Sequence, residues 1–172
     1  MHEAKDPVIR SIREDEIERV ARLTVDAYTA SYDLDLSGDY IVELGQVAER
    51  VRGQQVWVAV DPESGELLGT VTTPLPGERL SAFAGAGDMD FRMLATTKAA
   101  RGRGVGRALV RHCAELARQR GAARLVLHTG ADMDLAVALY ERMGFDRLSE
   151  IEQDFPYPPG VWYPVRVYAM RL

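Results

Sequence analysis

Hydrophobic positions follow two different spacings along the chain, and the changes of spacing divide it into helices and strands. Apolar residues three or four positions apart predict amphipathic helices. Short runs rich in Val, Ile, Leu and Thr predict strands. In chain order the pattern predicts a strand at 8–12, helices at 15–28 and 41–51, strands at 56–60, 67–73 and 90–97, a helix at 105–120, a strand at 125–129, a helix at 134–143, and strands at 145–152 and 165–172.

The connections between these elements predict the fold class. Turn-forming residues at 61–65 join two strands, which favours an antiparallel hairpin, whereas 74–87 is rich in Pro and Gly and predicts an irregular loop. The strand-helix-strand segment from 90 to 129 predicts a right-handed crossover between parallel strands. We therefore expect an α/β chain of the α+β type, with a mixed, mostly antiparallel sheet of six to seven strands and helices on both faces, rather than a doubly wound Rossmann sheet.

Length, charge and cysteine usage narrow the class of protein. The 172 residues and 47% hydrophobic content suit a single domain over 1–172. A net charge of −5 without a basic tail argues against nucleic acid as a partner. The single cysteine cannot form an internal disulfide, the first residues lack the apolar core of a signal peptide, and no run is long enough to span a membrane. We expect a cytoplasmic protein.

A glycine- and arginine-rich turn between a strand and a helix is the candidate binding site. Alternate glycines let the backbone approach a ligand closely, and the amides that open the following helix have no acceptor within that helix. These amides, the helix dipole and the neighbouring guanidinium groups all favour a phosphate ester. The candidate binding residues are Arg101, Gly102, Arg103, Gly104, Val105, Gly106 and Arg107.

The spacing of this turn excludes two common phosphate motifs and fits a third. A dinucleotide fingerprint would need glycine where Arg107 or Leu109 stands, and no lysine follows a glycine as a P-loop requires. Arg101-x-x-Gly104-x-Gly106 resembles the Arg-x-x-Gly-x-Gly loop of the GCN5-related N-acetyltransferase (GNAT) superfamily. A second segment, 136–145, matches that family's Ala-x-x-Leu-Tyr-x-x-x-Gly-Phe pattern, while Met133 stands where many members carry Asn.

The resemblance implies a GNAT fold that uses acetyl-CoA as co-substrate. In that family the loop holds the pyrophosphate of the coenzyme, and two central parallel strands splay apart so that the pantetheine arm lies between them. Here the strands would be 91–96 and 125–129. Backbone groups of Met93, Leu94 and Ala95 would then be free to hydrogen-bond the coenzyme, because an unpaired strand edge needs partners.

The resemblance also implies catalytic residues, each of which has an alternative role. Tyr140 stands where the family places its general acid, although it could instead pack on the sheet with its hydroxyl at the surface. Asp90 and His128 are candidate bases, with Asp88 and Glu150 as further candidates. Asp90 could instead form a salt bridge with Arg92, which would explain it equally well. His128 could simply pack and hydrogen-bond within the fold, which is the more common role of a single histidine in a strand.

The acceptor amine carries no motif of its own. An aromatic and proline cluster at 155–163, together with Tyr28, Tyr32 and Tyr40, either walls an acceptor pocket or forms a packed connection or dimer contact. Cys113 fits a buried core position, and histidine spacing predicts no metal site. We expect an N-acetyltransferase that acts on a primary amine of a small molecule or peptide. Transfer of a longer acyl group, or a non-catalytic acyl-CoA-binding sensor, is the alternative, and homodimerisation is left open.

Overall fold

Secondary structure follows the predicted order closely. A computed structural model of the chain describes residues 5–32, 38–156 and 162–172. The helices are α1 (Ile17–Ser31), α2 (Gly38–Gly45), α3 (Val47–Gly53), α4 (Val105–Gln119) and α5 (Asp134–Arg142). The strands are β1 (Val8–Ser11), β2 (Gln54–Val60), β3 (Leu67–Pro74), β4 (Asp88–Asp90), β5 (Arg92–Thr96), β6 (Arg124–Gly130), β7 (Asp146–Arg147), β8 (Phe155–Pro156), β9 (Trp162–Tyr163) and β10 (Val165–Arg171).

Two four-stranded sheets meet where β4 passes into β5. One sheet has the order β1-β2-β3-β5 and the other β4-β6-β10-β7, while β8 and β9 form a separate two-stranded ribbon. All described pairings are antiparallel except β4 with β6. When β4 and β5 are counted as one bent strand, the two sheets contain seven strands. The prediction of a mixed, mostly antiparallel α+β fold is confirmed.

Helices cover both faces because neighbouring residues of a strand point to opposite sides. Val58 of β2 packs in a cluster with Val20 of α1 and Val47 of α3. The next residue, Ala59, belongs to the cluster that contains Leu109 and other α4 residues. All eight residues of β3 are buried, so this strand lies in the interior, between the helices that cover the two faces of its sheet. The predicted placement of helices on both faces is confirmed.

Three predicted elements differ from those observed. The helix at 41–51 is two helices, because Gln46 leaves the helical region (φ −78°, ψ 49°) directly after Gly45, a weak helix former. The strand at 90–97 is divided at Phe91 into β4 and β5, which belong to different sheets. The strand at 145–152 is reduced to β7 and a single 3₁₀ turn. Its pairing ends because the Glu152 carboxylate, rather than a strand carbonyl, accepts the Val167 N–H at 3.1 Å.

Within the described ranges, no helix is both long enough and apolar enough to cross a lipid bilayer.

Candidate active site

A cleft opens where the parallel pairing of the central strands stops. β4 and β6 pair only over Asp88–Asp90 and Arg124–Val126. Beyond that point β5 pairs with β3, and the rest of β6 pairs with β10 on its far side. In the described part of the chain no strand lies between the facing edges of β5 and β6, and these edges line a cleft of about 370 Å³. This divergence is the splay that the resemblance implied.

One end of the cleft lies at the start of α4, where the backbone is shaped to bind an anion. Gly102 (φ 73°) and Gly104 (φ 77°) take left-handed conformations that strain other residues. The first helical amide with an acceptor is that of Ala108, which donates to the Gly104 carbonyl at 2.9 Å. Among the described residues, nothing accepts from the amides of Val105, Gly106 and Arg107. These three donors at the positive end of a 15-residue helix fit a diphosphate.

The arginines of this turn do not share one role. Arg101 lines the cleft and its guanidinium donates to the Ser31 hydroxyl at the end of α1. Arg103 instead donates to the Asp61 carboxylate at 3.1 Å, and its amide donates to the Ala100 carbonyl. The prediction that Arg103 contacts the phosphate is therefore not supported, since both its side chain and its amide already have partners. The Arg107 side chain is exposed.

The remaining turn residues contribute backbone rather than side chains. Gly102 and Gly106 line the cleft directly. The Val105 side chain is 2% exposed and belongs to the core, so only its amide is available to a ligand.

A β-bulge shapes the β5 wall of the cleft. Thr70 and Thr72 of β3 pair with Ala95 and Arg92, so that two β5 residues, Met93 and Leu94, oppose one residue of β3. Met93 has φ 56°, the one positive φ outside glycine in the described chain. Such bulges bend a strand and re-aim its backbone groups.

The strand register decides which β5 backbone groups face the cleft. The Thr97 N–H donates to the Leu68 carbonyl of the β3 segment at 2.9 Å. Because hydrogen-bonded residues alternate along an antiparallel pair, Ala95 also directs its N–H and C=O towards β3. Leu94 and Thr96 then direct theirs away from β3, on the cleft side. The register thus directs the backbone groups of Leu94 towards the cleft and those of Ala95 towards β3, and it adds Thr96, which the sequence interpretation did not include. Contact of these groups with the coenzyme stays a prediction.

Tyr140 occupies the centre of the cleft wall on α5. Its side chain is 5% exposed and its ring centroid lies 6.0 Å from Phe91, 5.7 Å from Phe145 and 6.3 Å from Tyr168. Burial, followed by the nearby Tyr32 and Cys113, raises the pKa of Tyr140 far above its ordinary value. The residue both packs on the sheet and lines the cleft. Of the alternative considered from the sequence, the packing on the sheet is observed but a hydroxyl at the protein surface is not, and the role of general acid stays a prediction.

Asp90 does not line the cleft and is held by a loop. Its carboxylate accepts the amides of Leu80, at 2.9 and 3.0 Å, and of Ser81, at 2.8 Å. Burial raises its pKa, while these hydrogen bonds oppose the rise. The prediction that Asp90 is a base is not supported, nor is its salt bridge with Arg92. Asp90 instead fastens the loop 74–87 to the sheet.

The two further acidic candidates also lie elsewhere. Asp88 forms two hydrogen bonds of 2.9 Å with the Arg124 guanidinium. Glu150 is exposed in the single turn after β7 and does not line the cleft.

His128 of β6 faces the cleft and contacts the loop that Asp90 holds. Its ring centroid lies 5.1 Å from that of Phe83. Burial, and then the positive charge of Arg92, lowers the pKa of His128 to about 4. The imidazole is therefore neutral at neutral pH and can accept a proton, although only weakly.

The end of the cleft away from α4 is formed by the first two helices. Tyr28 and Tyr40 line it together with Glu43 and Arg92, while Tyr32, which follows Ser31, lies nearer Arg101. Of the roles considered for these tyrosines, they take that of a cleft wall. An Arg92 Nη atom lies 3.8 Å from a Glu43 carboxylate oxygen. Sequence interpretation missed Glu43, for which no motif gives a signal, and considered Arg92 only as a partner of Asp90. The predicted aromatic cluster at 155–163 cannot be compared, because its side chains lie outside the described residues.

Other reactive side chains are not arranged for chemistry. Cys113 is fully buried in the core, as predicted, and burial raises the pKa of its thiol. In the described part of the chain, no group of three His, Cys, Asp or Glu residues could hold a metal ion.

Solved structures of similar shape share the fold. An acetyltransferase of the GNAT family from Staphylococcus aureus Mu50 has a TM-score of 0.72 and 14% identity, with 96% of this chain and 99% of that one covered. A GCN5-related N-acetyltransferase from Rhodopseudomonas palustris has a TM-score of 0.73 and 18% identity, with 100% and 99% covered. An acetyltransferase-type structure from Salmonella typhimurium, with its cofactor acetyl-CoA, has a TM-score of 0.64 and 19% identity, with 98% and 95% covered.

Sequence relatives and a family model assign the chain more specifically. N-acetyltransferase 8 of Mus musculus is 35% identical over 106 residues, which are 58% of this chain and 42% of the relative. N-acetyltransferase 8B of Rattus norvegicus is 34% identical over 122 residues, 70% of this chain and 50% of the relative. The chain thus spans half the length of these relatives or less. The model of the acetyltransferase (GNAT) family matches residues 17–145, three quarters of the sequence, and the chain therefore belongs to the GNAT family.

Proposed function

We propose that this chain is an acetyl-CoA-dependent N-acetyltransferase that moves an acetyl group to a primary amine of a small molecule or peptide. The observation that carries this proposal is the continuous cleft. It begins at the three free amides of α4, passes between β5 and β6 beneath Tyr140, and ends among Tyr28, Glu43 and Arg92. The relatives named N-acetyltransferase support the same reaction.

The α4 end of the cleft suits the coenzyme. The amides of Val105, Gly106 and Arg107 supply fixed donors for the diphosphate, and the Arg101 guanidinium adds positive charge beside them. Backbone groups of Leu94 and Thr96 are oriented to pair with the amide groups of the pantetheine arm. The structural neighbour that holds acetyl-CoA supports the presence of this co-substrate.

Tyr140 is proposed to assist the departing sulfur. The thioester of acetyl-CoA supplies the acetyl group; the amine nitrogen bonds to its carbonyl carbon, the carbon–sulfur bond breaks, and sulfur keeps the electron pair as a thiolate. The nitrogen, which is positively charged once it has bonded to the carbon, loses a proton to solvent and becomes the amide nitrogen. Because burial raises the pKa of Tyr140, its hydroxyl stays protonated at neutral pH. A thiol has a pKa of about 8.5, so complete transfer of the tyrosine proton is unfavourable. Tyr140 therefore donates a hydrogen bond to the thiolate, which takes its proton from solvent.

The amine must lose a proton before it attacks, and among the described residues the cleft offers His128 and Glu43, both weak bases, for this step. An α-amino group with a pKa of about 8 costs little more than about 1 kcal/mol to deprotonate at neutral pH, whereas a lysine amine at about 10.4 costs roughly 4 to 5 kcal/mol. His128 faces the cleft in its neutral form, but a pKa of about 4 makes it a poor acceptor for a lysine proton. We propose that His128 accepts a hydrogen bond from the amine, whose proton passes to solvent.

Release of free thiol from acyl-CoA, measured over a panel of primary amines and acyl chain lengths, tests this function. We expect release from acetyl-CoA that requires an amine and falls in Tyr140→Phe. Binding of acetyl-CoA without release by any amine would favour the non-catalytic sensor. Faster release from a longer acyl-CoA would favour the transferase of longer acyl groups.

Three further features remain part of the proposal. We propose that residues 1–172 act as one N-acetyltransferase domain, which the family match over 17–145 supports. A cytoplasmic location and a possible homodimer both stay predictions from the sequence.

A further inference from the structure

One guanidinium in the cleft differs from the other half-buried arginines of the protein. Arg10 forms two hydrogen bonds of 2.7 and 2.9 Å with Glu16, and Arg124 forms two of 2.9 Å with Asp88. Arg50 donates from both Nη atoms to two carbonyls at the end of α2, and only its Nε is without a partner among the described residues. No hydrogen bond from the Arg92 guanidinium is found among the described residues, and 24% of its side chain is exposed.

The contact between Arg92 and Glu43 does not supply a hydrogen-bond acceptor for the Arg92 guanidinium. Their closest atoms are 3.8 Å apart, which is beyond hydrogen-bond distance. A guanidinium presents five N–H donors in a rigid fork, and those of Arg92 are open to the cleft rather than enclosed in the core. The geometry of this pair therefore leaves the donors of Arg92 available to a ligand in the cleft.

Arg92 lies at the acceptor end rather than the coenzyme end. It begins β5, and Thr96, beside the α4 turn, is four residues further on, which corresponds to about 13 Å of strand. Arg92 lines the cleft together with Tyr28 and Glu43, and its charge acts on both Tyr28 and His128. A ligand group bound to Arg92 would thus belong to the acceptor and not to the diphosphate.

The charges of Arg92 and Glu43 at this end of the cleft favour some amine acceptors over others. A carboxylate is the group that pairs best with a guanidinium fork, because both N–H donors meet both oxygens. A purely cationic amine would instead be repelled by Arg92. An α-amino acid carries both an amine and a carboxylate on one carbon, and this pair matches the neighbouring Glu43 carboxylate and Arg92 guanidinium.

The rest of the acceptor end is aromatic. Tyr28 and Tyr40 meet edge to face with ring centroids 6.4 Å apart. These rings offer an apolar wall to a side chain of the acceptor.

We propose that the acceptor is a free amino acid with an apolar side chain, whose carboxylate is bound by Arg92 while its amine lies towards Glu43. This inference rests on the proposed N-acetyltransferase function and narrows it, because a peptide N-terminus has an amide where the free amino acid has its carboxylate. Arg92 is then the residue that distinguishes a free amino acid from a peptide.

Comparison of L-phenylalanine with L-phenylalaninamide tests the proposal, because the two differ in the carboxylate. The readout is the ratio of their kcat/KM values in thiol release. Loss of a charged hydrogen bond predicts that this ratio falls roughly 10- to 100-fold in Arg92→Gln. The amines of the two compounds differ in pKa, but that difference is the same for every variant and cancels in the comparison. Arg92→Lys keeps the charge without the fork, so its ratio should lie between those of the unaltered protein and Arg92→Gln.

Arg111→Gln is the matched control, because Arg111 is an exposed residue of α4 and does not line the cleft. Its ratio should equal that of the unaltered protein. Equal use of the amino acid and its amide by the unaltered protein, or an unchanged ratio in Arg92→Gln, would overturn the proposal while leaving N-acetyltransferase activity intact.

A binding measurement keeps the proposal testable without turnover. In calorimetry with coenzyme A present, N-acetyl-L-phenylalanine should bind the unaltered protein more tightly than N-acetyl-L-phenylalaninamide does, and Arg92→Gln should abolish that difference. Equal affinities in the unaltered protein would refute the role of Arg92 even if no amine were acetylated. Absence of thiol release with every amine, in contrast, would refute the proposed function itself.

Discussion

Replacement of Gly104 by valine isolates the turn at the start of α4. Gly104 has φ 77° and ψ 10°, and a Cβ placed there would meet nothing within 4 Å. The cost to the unbound protein is therefore conformational, about 1–2 kcal/mol for an L-residue in the left-handed region. Gly104 does not itself line the cleft, so a side chain there acts on the ligand through the backbone. If the valine variant relaxes the strained φ of this residue, the amides of Val105 and Gly106 turn away from the ligand.

Gly121→Val supplies a control with the same strain at the opposite end of α4. Gly121 has φ 74°, and a Cβ there also meets nothing within 4 Å. Both variants should lose about 1–2 kcal/mol of unfolding free energy without ligand. For a chain of this size that loss lowers the melting temperature by roughly 2 to 8 °C.

Thermal denaturation with increasing acetyl-CoA separates strain from binding. At a concentration 100 times the Kd, a ligand that binds only the folded state stabilises it by about 2.7 kcal/mol. The unaltered protein and Gly121→Val should both show this gain, whereas Gly104→Val at the same acetyl-CoA concentration should show little or none. An equal gain in Gly104→Val and Gly121→Val would refute the assignment of the diphosphate to this turn.

Three further results are expected. Tyr140→Phe should reduce turnover on the order of 100-fold with unchanged affinity for acetyl-CoA by calorimetry, and equal turnover would remove Tyr140 from the reaction. The hydrogen bond from Arg10 lowers the pKa of Glu16 from 4.5 to about 2. The unaltered protein should therefore be more stable than Glu16→Gln above pH 4.5, and this difference should disappear as the pH falls to 2. Urea denaturation measures it, and a difference independent of pH would contradict the role of Glu16. Buried Cys113 should react with a thiol reagent only after denaturation, and immediate modification of the folded protein would contradict its placement.

Local signals in the sequence are sufficient for the coenzyme end of the cleft. The 3.6-residue period of α4 and the glycines at 102, 104 and 106 act within one segment, so the turn and its free amides could be predicted without tertiary information. Tyr140 could be placed in the same way, because its helix carries a motif. The apolar runs also gave the strands in the correct order.

Contacts between distant segments explain what could not be predicted. Both β4 and β5 have the composition of a strand, and only their different partners, β6 and β3, divide them at Phe91. Asp90 was interpreted as a candidate base from its place in the strand and from the family resemblance. Nothing in the sequence indicates that its partners are the amides of Leu80 and Ser81, because these lie in an irregular loop. Arg103 was assigned to phosphate on the basis of its neighbours, whereas its partner Asp61 is 42 residues away.

The acceptor end was the least predictable part for the same reason. Arg92 and Glu43 come from a strand and a helix far apart in the chain, and neither belongs to a motif. The sequence around Glu43 and Arg92 does not indicate that either residue lines the cleft, because only the fold brings the two side chains together.

A crystal structure of the protein with acetyl-CoA tests the central claim most directly. The account predicts the diphosphate within hydrogen-bond distance of the Val105, Gly106 and Arg107 amides, with the thioester between β5 and β6 near the Tyr140 hydroxyl. A coenzyme bound elsewhere, with those three amides facing only solvent, would contradict it.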